Sequence, residues 1–260
     1  MTFMSRLKTL RAEYPPRVLI YGPPGMGKTT LASEFPNPVF LQVEDGTPSG
    51  LELTGLKPVS YEDITAAISE LYSEPHDFQT LVIDSLDKAE PLIWDAVCRQ
   101  NNWPSIEAPG YGKGYVATQY LWRDLLDGLN ALRTERRMNI VLISHSDIER
   151  FDDPTSVSYS QYQVRLHKSG RKLIEDEMDA ILLIKQEASV KEEDKGFNKT
   201  RAHAEGGSQR FMYCEGRPAF TAKNRFGMPP KIVFRPGQGY AELSKYFPIQ
   251  PAAPDAQAAA

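Results

Sequence analysis

The chain has 260 residues, of which 41% are hydrophobic and 25% are charged, and its formal net charge is −4 at pH 7. These values are typical of a globular protein and exclude the overall basic charge of many dedicated nucleic-acid binders. The sequence has no apolar run of membrane-spanning length and no signal peptide, so we expect a cytoplasmic protein without membrane contact. Two cysteines, Cys98 and Cys214, lack metal-binding spacing and fit a reducing compartment.

Apolar, β-rich runs alternate with helical patterns along the first 185 residues. Strands are predicted at residues 17 to 21, 38 to 43, 80 to 84, 139 to 145 and 179 to 185. Helices are predicted at residues 28 to 35, 61 to 73, 87 to 101 and 117 to 136. The first three strands are continuously apolar, as in a parallel sheet covered on both faces. This order predicts a doubly wound α/β fold, with a mostly parallel central sheet flanked by helices.

Two irregular stretches, residues 102 to 116 and 146 to 172, are interpreted as long loops at the ligand-binding edge of the sheet. After residue 186 a charged stretch is followed by short strand-like runs, which predict a C-terminal β-hairpin extension. These runs lie at residues 209 to 214, 218 to 223 and 231 to 234.

One domain is expected over residues 1 to 247. It would consist of a core at residues 17 to 185 and the β extension at residues 186 to 247. Residues 248 to 260 lack periodicity and are predicted to be a disordered tail.

The most specific motif follows the first strand. Gly22, Gly27, Lys28 and Thr29 satisfy the P-loop pattern G-x-x-x-x-G-K-[ST] between a predicted strand and a predicted helix. Glycines let backbone N–H groups surround a phosphate, lysine neutralises the β and γ oxygens of ATP, and the threonine hydroxyl binds Mg²⁺. The residues expected to contact the nucleotide are Gly22, Pro23, Pro24, Gly25, Met26, Gly27, Lys28, Thr29 and Thr30. The alternative is a glycine-rich turn without a ligand.

A P-loop also needs a carboxylate at the end of a neighbouring strand to hold Mg²⁺. Asp84, which closes the run TLVID, is the candidate and would share the metal with Thr29. A lone Asp at this position is otherwise a helix N-cap, here for the helix that begins near Asp87.

The catalytic base is expected at a different strand. Ser85 follows Asp84, so the two-carboxylate ending that supplies the base in AAA+ motors is missing. Glu44, which ends the strand after the P-loop helix, is the candidate to orient a water toward the γ-phosphate. The alternative is that Glu44 or Asp45 only begins the turn at Gly46.

Ser144 and His145 end the fourth strand at the same edge as Asp84. A polar side chain at this position could sense the γ-phosphate, and His145 is the candidate. The alternative for His145 is a structural hydrogen bond.

The segments GPPGMGKTTL, FLQVEDG, LVIDSL and VLISHS together resemble the RecA-like ATPase core, in which the catalytic Glu follows the second strand and the magnesium Asp precedes a Ser. The likeness covers residues 17 to 185. With TAKNRFGMP near the C-terminus, the chain is similar to phage-encoded nucleotide-binding proteins that serve as single-strand annealing recombinases. The residues that carry over are Lys28, Thr29, Glu44, Asp84 and His145, although RecA has a glutamine at the last position.

This resemblance implies a slow, Mg²⁺-dependent and DNA-stimulated ATPase. It also implies a homo-oligomer that binds single-stranded DNA in a bacterial host cell, with single-strand binding protein as a further partner. In such assemblies a Lys or Arg of the adjacent subunit completes the site, and Lys223 and Arg225 in AKNRFG are the candidates. The alternative is a basic β-turn closed by Gly227.

Single-stranded DNA is expected at the two predicted loops. Cations that contact phosphates and aromatic rings that stack on bases are what sequence-tolerant binding needs. The candidates are Tyr111, Lys113 and Tyr115 in the first loop and Arg150, Phe151, Tyr159, Tyr162, Arg165, Lys168, Arg171 and Lys172 in the second. The alternative is a solvated charged face, with Asp152 and Asp153 diluting the positive charge.

Two other classes share part of this pattern. A P-loop kinase of a small molecule would use Lys28, Thr29 and Asp84, with residues 146 to 172 as its lid. An AAA+ type loader or switch would bind ATP and partners with poor turnover, but the strand-like pattern after residue 186 does not indicate a helical lid domain. Guanine specificity is not expected, because the sequence has no NKxD motif.

Overall fold

The computed structural model describes residue 7 and residues 13 to 152, 157 to 194 and 200 to 248. Within these residues the strands β1 to β10 lie at Arg17–Gly22, Pro38–Gln42, Gly55–Leu56, Thr80–Asp84, Asn139–Phe151, Tyr159–Val164, Ala180–Asp194, Thr200–Tyr213, Lys223–Asn224 and Lys231–Phe234. The helices α1 to α7 lie at Lys28–Ser33, Tyr61–Ser73, Leu86–Asn101, Lys113–Ala117, Gln119–Thr134, Lys168–Glu177 and Gly239–Ser244. None of these helices is long and apolar enough to cross a membrane.

The central sheet has the strand order β10-β8-β7-β1-β5-β4-β2-β3, while β6 pairs with β5 and β9 pairs with β7. All neighbours from β7 to β3 in this order are parallel. β8 and β10 join the sheet as antiparallel strands. The predicted α/β fold with a mostly parallel sheet is therefore confirmed, and the five predicted strands correspond to β1, β2, β4, β5 and β7.

The core lies on both faces of this sheet, because side chains of a strand alternate between the two faces. In β1, Leu19 and Tyr21 pack with α2, α3 and α5 on one side. Val18 and Ile20 pack on the other side with α1, β10 and α7. All four are fully buried, which explains why the run is continuously apolar.

The prediction of a long loop at residues 146 to 172 is wrong. β5 continues to Phe151 and forms an antiparallel hairpin with β6, and α6 begins at Lys168. These strands are polar because most of their side chains are only partly buried, so the apolar signal that marks the other strands is absent. The predicted loop at residues 102 to 116 ends earlier than expected, since α4 begins at Lys113.

The C-terminal β extension is longer than predicted. β7 continues to Asp194 and pairs with β8, with a register shift between Gln186 and Ala188, so the hairpin is a continuation of a core strand. Of the predicted short runs, residues 209 to 213 lie in β8 and residues 231 to 234 form β10, whereas residues 218 to 222 are not a strand. Within the described residues β7 is followed by these strands and the short α7, not by a helical lid. The predicted tail lies outside the described residues from residue 249 onward.

Candidate nucleotide-binding site

The loop between β1 and α1 has the backbone shape that a phosphate cradle needs. Gly22 has φ of 154° and Gly27 has φ of 93°. A Cβ atom on Gly22 would lie 2.3 Å from the carbonyl oxygen of Ile184 in β7, so only glycine fits there. Gly27 is the N-cap of α1 without any side-chain cap, which leaves the first N–H groups of the helix available to a ligand.

Lys28 is held under this loop. Its side chain is 7% exposed, and its Nζ donates hydrogen bonds to the carbonyl oxygens of Gly22 and Pro23, both at 3.1 Å. Burial lowers the pKa of Lys28, and the nearby carboxylates, first Asp84, oppose this effect. The ammonium is thus placed by backbone carbonyls, at the position from which a P-loop lysine contacts phosphate oxygens.

Thr29 and Asp84 meet at the start of α1. The Thr29 hydroxyl donates to Oδ2 of Asp84 at 2.7 Å, and Asp84 is 6% exposed. Burial raises the pKa of Asp84, although the Thr29 hydrogen bond opposes it. A hydroxyl and a carboxylate are hard oxygen ligands, and Mg²⁺ commonly uses one or two such groups with phosphate oxygens and water, so the pair fits this ion. The N-cap of α3 is Ser85 and not Asp84, so the capping alternative for Asp84 is excluded.

Glu44 and His145 belong to one hydrogen-bonded cluster next to Asp84. Glu44 accepts a hydrogen bond from the Ser85 hydroxyl at 3.0 Å, and its Oε2 lies 3.7 Å from Nδ1 of His145. Asp87 accepts the backbone N–H of His145 and contacts its Nδ1, both at 3.0 Å. Burial alone would raise the pKa of Asp87, but the hydrogen bonds and charge of His145 lower it to about 2.

Sequence reasoning missed the role of Asp87 and Ser85 in this cluster. Asp87 lies in the first turn of α3, three residues after Asp84, where it was considered only as the start of a helix. His145 reaches it from β5, because β4 and β5 are parallel neighbours. His145 therefore makes structural hydrogen bonds, as the alternative prediction stated, and it also lies in the candidate site.

A cavity of about 370 Å³ lies at the carboxyl edge of the parallel sheet. Its lining includes nine residues that the sequence placed at this site: Pro24, Gly25, Gly27, Lys28, Thr29, Thr30, Glu44, Asp84 and His145. Gly22, Pro23 and Met26, also expected to contact the nucleotide, are not part of this lining. It also includes Arg210 of β8, which the sequence analysis did not consider. No local motif marks this arginine, because the strand pairing of the extension alone places it here.

Lys223 and Arg225 lie at the other end of the sheet. β9 pairs with the first residues of β7, and Nζ of Lys223 donates to the last carbonyl groups of α6, those of Glu175 and Asp176, at 2.8 Å. Arg225 contacts Oδ1 of Asp179 at 3.2 Å. Neither side chain lines the nucleotide cavity of its own chain, so a role in the site of an adjacent subunit stays a prediction.

The candidate DNA residues lie on α4, the β5–β6 hairpin and α6, except that Tyr111 precedes α4 and Arg165 lies between β6 and α6. Three of the arginines are ion-paired within the chain: Arg150 with Asp152, Arg165 with Asp147 and Arg171 with Glu149. Tyr115 stacks on His167 at 4.0 Å, and Tyr162 lies under Nζ of Lys185 at 4.5 Å. Tyr111 is fully exposed, and Phe151 and Tyr159 contact each other at 5.4 Å. No ion pair is seen in the described residues for Lys113, Lys168 or Lys172, which makes them the available cations.

Known proteins are similar to parts of this chain. A segment of 83 residues is 34% identical to the Holliday junction branch migration complex subunit RuvB of Koribacter versatilis, and it covers 32% of this chain and 20% of that protein. The chain therefore spans about a fifth of that relative. The crystal structure of the RadB recombinase aligns with 77% of this chain and 81% of its own chain, at 16% identity and a TM-score of 0.41.

One family model, described as an AAA domain, matches residues 14 to 226. That range contains the P-loop, Asp84, the Glu44 and His145 cluster, and Arg210. The match covers most of the 260 residues. The chain therefore belongs to the AAA domain family of P-loop ATPases.

Proposed function

We propose that this protein binds ATP with Mg²⁺, hydrolyses it, and couples hydrolysis to single-stranded DNA as a homo-oligomer. The observation that carries the proposal is the convergence of Lys28, Thr29, Asp84 and Glu44 on one cavity at the carboxyl edge of the sheet. Open α/β sheets bind ligands at this edge. These residues supply a cation for the phosphates, two oxygen ligands for Mg²⁺ and a further carboxylate for the attacking water. Phosphoryl transfer to water requires these groups.

Each residue has a distinct role in the proposed reaction. The N–H groups at the start of α1 and Nζ of Lys28 bind the phosphate oxygens, while Thr29 and Asp84 would hold Mg²⁺, which neutralises charge on the phosphates when bound. Glu44 orients the attacking water and accepts its proton. The Ser85 hydroxyl fixes the Glu44 carboxylate through the 3.0 Å hydrogen bond.

Single-stranded DNA is the proposed partner at the surface formed by α4, the β5–β6 hairpin and α6. Support comes from the exposed ring of Tyr111 and from Lys113, Lys168 and Lys172, which offer stacking and phosphate contacts. The partial similarity to RuvB, whose name refers to Holliday junctions, also supports a DNA partner. Arg150, Arg165 and Arg171 are ion-paired within the chain. We therefore propose that they stabilise this surface and that the lysines supply its contacts with DNA phosphates.

Lys223 and Arg225 are proposed to act on the site of an adjacent subunit. They lie on the amino side of β7, whereas the nucleotide cavity lies at the carboxyl edge. A head-to-tail contact, in which the amino side of one sheet faces the carboxyl edge of the next, would bring the two together. Such a cation stabilises the charge that develops on the transferred phosphoryl group.

The test compares phosphate release and single-stranded DNA binding for wild type, Lys28→Ala and Glu44→Gln. Wild type is expected to need Mg²⁺ and to release phosphate faster with oligothymidylate. Lys28→Ala should lose nucleotide binding, while Glu44→Gln should bind ATP but hydrolyse it about 10²- to 10⁴-fold more slowly, the range for a lost general base. Asp45→Asn is the matched control, because Asp45 is the exposed neighbour of Glu44 and pairs with Lys57.

Each negative result of these measurements would refute a different part of the proposal. Unchanged hydrolysis in Glu44→Gln would remove Glu44 from the reaction. Hydrolysis that ignores DNA, together with no change in anisotropy of a labelled oligonucleotide at low salt, would refute the DNA partner and leave the ATPase in place. A phosphorylated small molecule in place of free phosphate would establish the kinase alternative.

A further inference from the structure

Arg210 reaches the nucleotide cavity from the β extension. It lies in β8, in register with Gln186 of β7 and Phe234 of β10. Its guanidinium approaches the P-loop, where one nitrogen lies 3.4 Å from the carbonyl oxygen of Met26. A Cβ atom on Gly27 would lie 3.2 Å from the same nitrogen. The side chain therefore lies against the part of the loop that surrounds phosphate in P-loop proteins.

Most N–H donors of the Arg210 guanidinium have no acceptor among the described residues. Arginine carries five N–H donors, and the described residues provide Arg210 with the single long contact to Met26. Two more deeply buried arginines are paired with carboxylates, Arg17 with Glu177 at 2.6 Å and Arg171 with Glu149 at 2.7 Å. A partly buried cation without an anionic partner is unfavourable, so an anion in the cavity would satisfy Arg210.

Arg210 also differs in position from the other polar groups of the cavity. Asp84 ends β4, His145 lies within β5 and Glu44 follows β2, and these three strands all lie on one side of β1. β8 lies on the opposite side, beyond β7. Arg210 thus gives the P-loop a second positive group besides Lys28, on the side that has no other charged residue in the lining.

We infer that Arg210 is a nucleotide-binding residue supplied by the same chain, and that it donates hydrogen bonds to the phosphate chain of bound ATP and ADP. The inference rests on the proposed nucleotide site and adds a binding residue to it. Arginine suits this task because its planar fork contacts two phosphate oxygens together, which lysine cannot do.

A purely structural role for Arg210 makes a different prediction. If it only braced the Met26 carbonyl, its loss would destabilise the nucleotide-free protein as well as weaken ATP and ADP binding, because the distorted loop is the part that binds phosphates. A phosphate contact instead leaves the nucleotide-free protein at least as stable and makes the loss of affinity grow with the number of phosphates. Substitution by Lys would retain part of the affinity under the phosphate role, because the charge remains while the fork is lost.

The experiment measures dissociation constants of methylanthraniloyl-labelled ATP, ADP and AMP for wild type, Arg210→Gln and Arg210→Lys. Arg217→Gln is the matched control, because Arg217 is exposed and lies outside the cavity lining. We expect Arg210→Gln to weaken ATP binding about 10- to 100-fold, the range for a lost hydrogen bond between charged groups, with a smaller loss for AMP. Arg210→Lys should fall between wild type and Arg210→Gln.

ATP binding by Arg210→Gln within about twofold of wild type, or an equal loss for all three nucleotides, would overturn the inference. Thermal unfolding without nucleotide separates the two roles: unchanged unfolding temperatures are expected, and lower temperatures for both Arg210→Gln and Arg210→Lys would show a structural role and overturn the inference. If only Arg210→Gln is less stable, an ATP affinity of Arg210→Lys equal to wild type overturns it as well. If wild type binds none of the nucleotides, the proposed function itself fails, and the inference fails with it.

Discussion

Asp179 joins three arginines at the amino end of the sheet, and its replacement gives a sharp test of the fold. Its side chain is 7% exposed, and its carboxylate accepts hydrogen bonds from Arg17, Arg133 and Arg225 at 3.0 to 3.2 Å. Arg17 and Arg133 have side chains that are 11% and 16% exposed, so their charges lie in a poorly solvated region. Asp179→Asn leaves both cations without this partner.

The expected cost of Asp179→Asn is about 3 kcal/mol, the lower end of the range for breaking a buried ion pair. The lower end applies because Arg17 keeps Glu177 at 2.6 Å and Arg133 keeps the Pro15 carbonyl at 2.7 Å. Urea unfolding at pH 7 measures this free energy. Asp152→Asn is the control, since Asp152 and Arg150 are both 76% exposed, and it should leave the midpoint unchanged.

The difference in unfolding free energy between wild type and Asp179→Asn depends on pH through the pKa of Asp179. Burial would raise this pKa, but the hydrogen bonds and charges of Arg17 and Arg133 hold it below its usual value. The stabilisation is therefore complete above the unfolded value of about 3.9 and is lost as the pH falls through the lower folded value. A cost below about 1 kcal/mol, or a difference that vanishes already at neutral pH, would show that the cluster is not the buried ion pair described here.

Two further substitutions test the site and its support. Ser85→Ala removes the hydroxyl that donates to Glu44, so we expect hydrolysis about fivefold slower with unchanged ATP affinity, measured by steady-state kinetics and nucleotide titration; an unchanged rate would show that Glu44 needs no such support. Gly170→Ala in α6 would place a Cβ atom 2.6 Å from Nε1 of the fully buried Trp122, so urea unfolding should show a loss of about 1 to 3 kcal/mol. A more stable Gly170→Ala protein, as helix propensity alone predicts, would contradict this packing.

Much of the site could be predicted from sequence because its parts are local. The P-loop lies between a strand and a helix within residues 17 to 33, and the apolar run before Asp84 identifies a buried strand. Parallel strands end at one edge of a sheet, so Asp84, Glu44 and His145 could be assigned to one site before any distance was known. The structure confirms that all three line the cavity.

The β5–β6 hairpin and the charges on it could not be predicted in the same way. The pattern of residues 146 to 172 is polar on both faces, and such a strand has no apolar alternation to identify it. Arg165 and Arg171 were interpreted as free cations, yet the hairpin brings Asp147 and Glu149 against them. Arg165 follows β6 and Arg171 lies in α6, so these ion pairs depend on how the chain after the hairpin returns to β5, which composition does not reveal.

The amino-acid sequence by itself determined the fold class, the P-loop and the positions of Asp84 and Glu44, because these depend on apolar runs and on motifs of a few residues. Tertiary structure alone decided the contacts of Asp87 with His145 and the position of Arg210 beside the P-loop. Arg210 is 184 residues from Met26 along the chain, and the contact arises from the register of β8 against β7. A one-residue shift of that register would turn Arg210 to the other face of the sheet, so no local pattern could have placed it at the nucleotide.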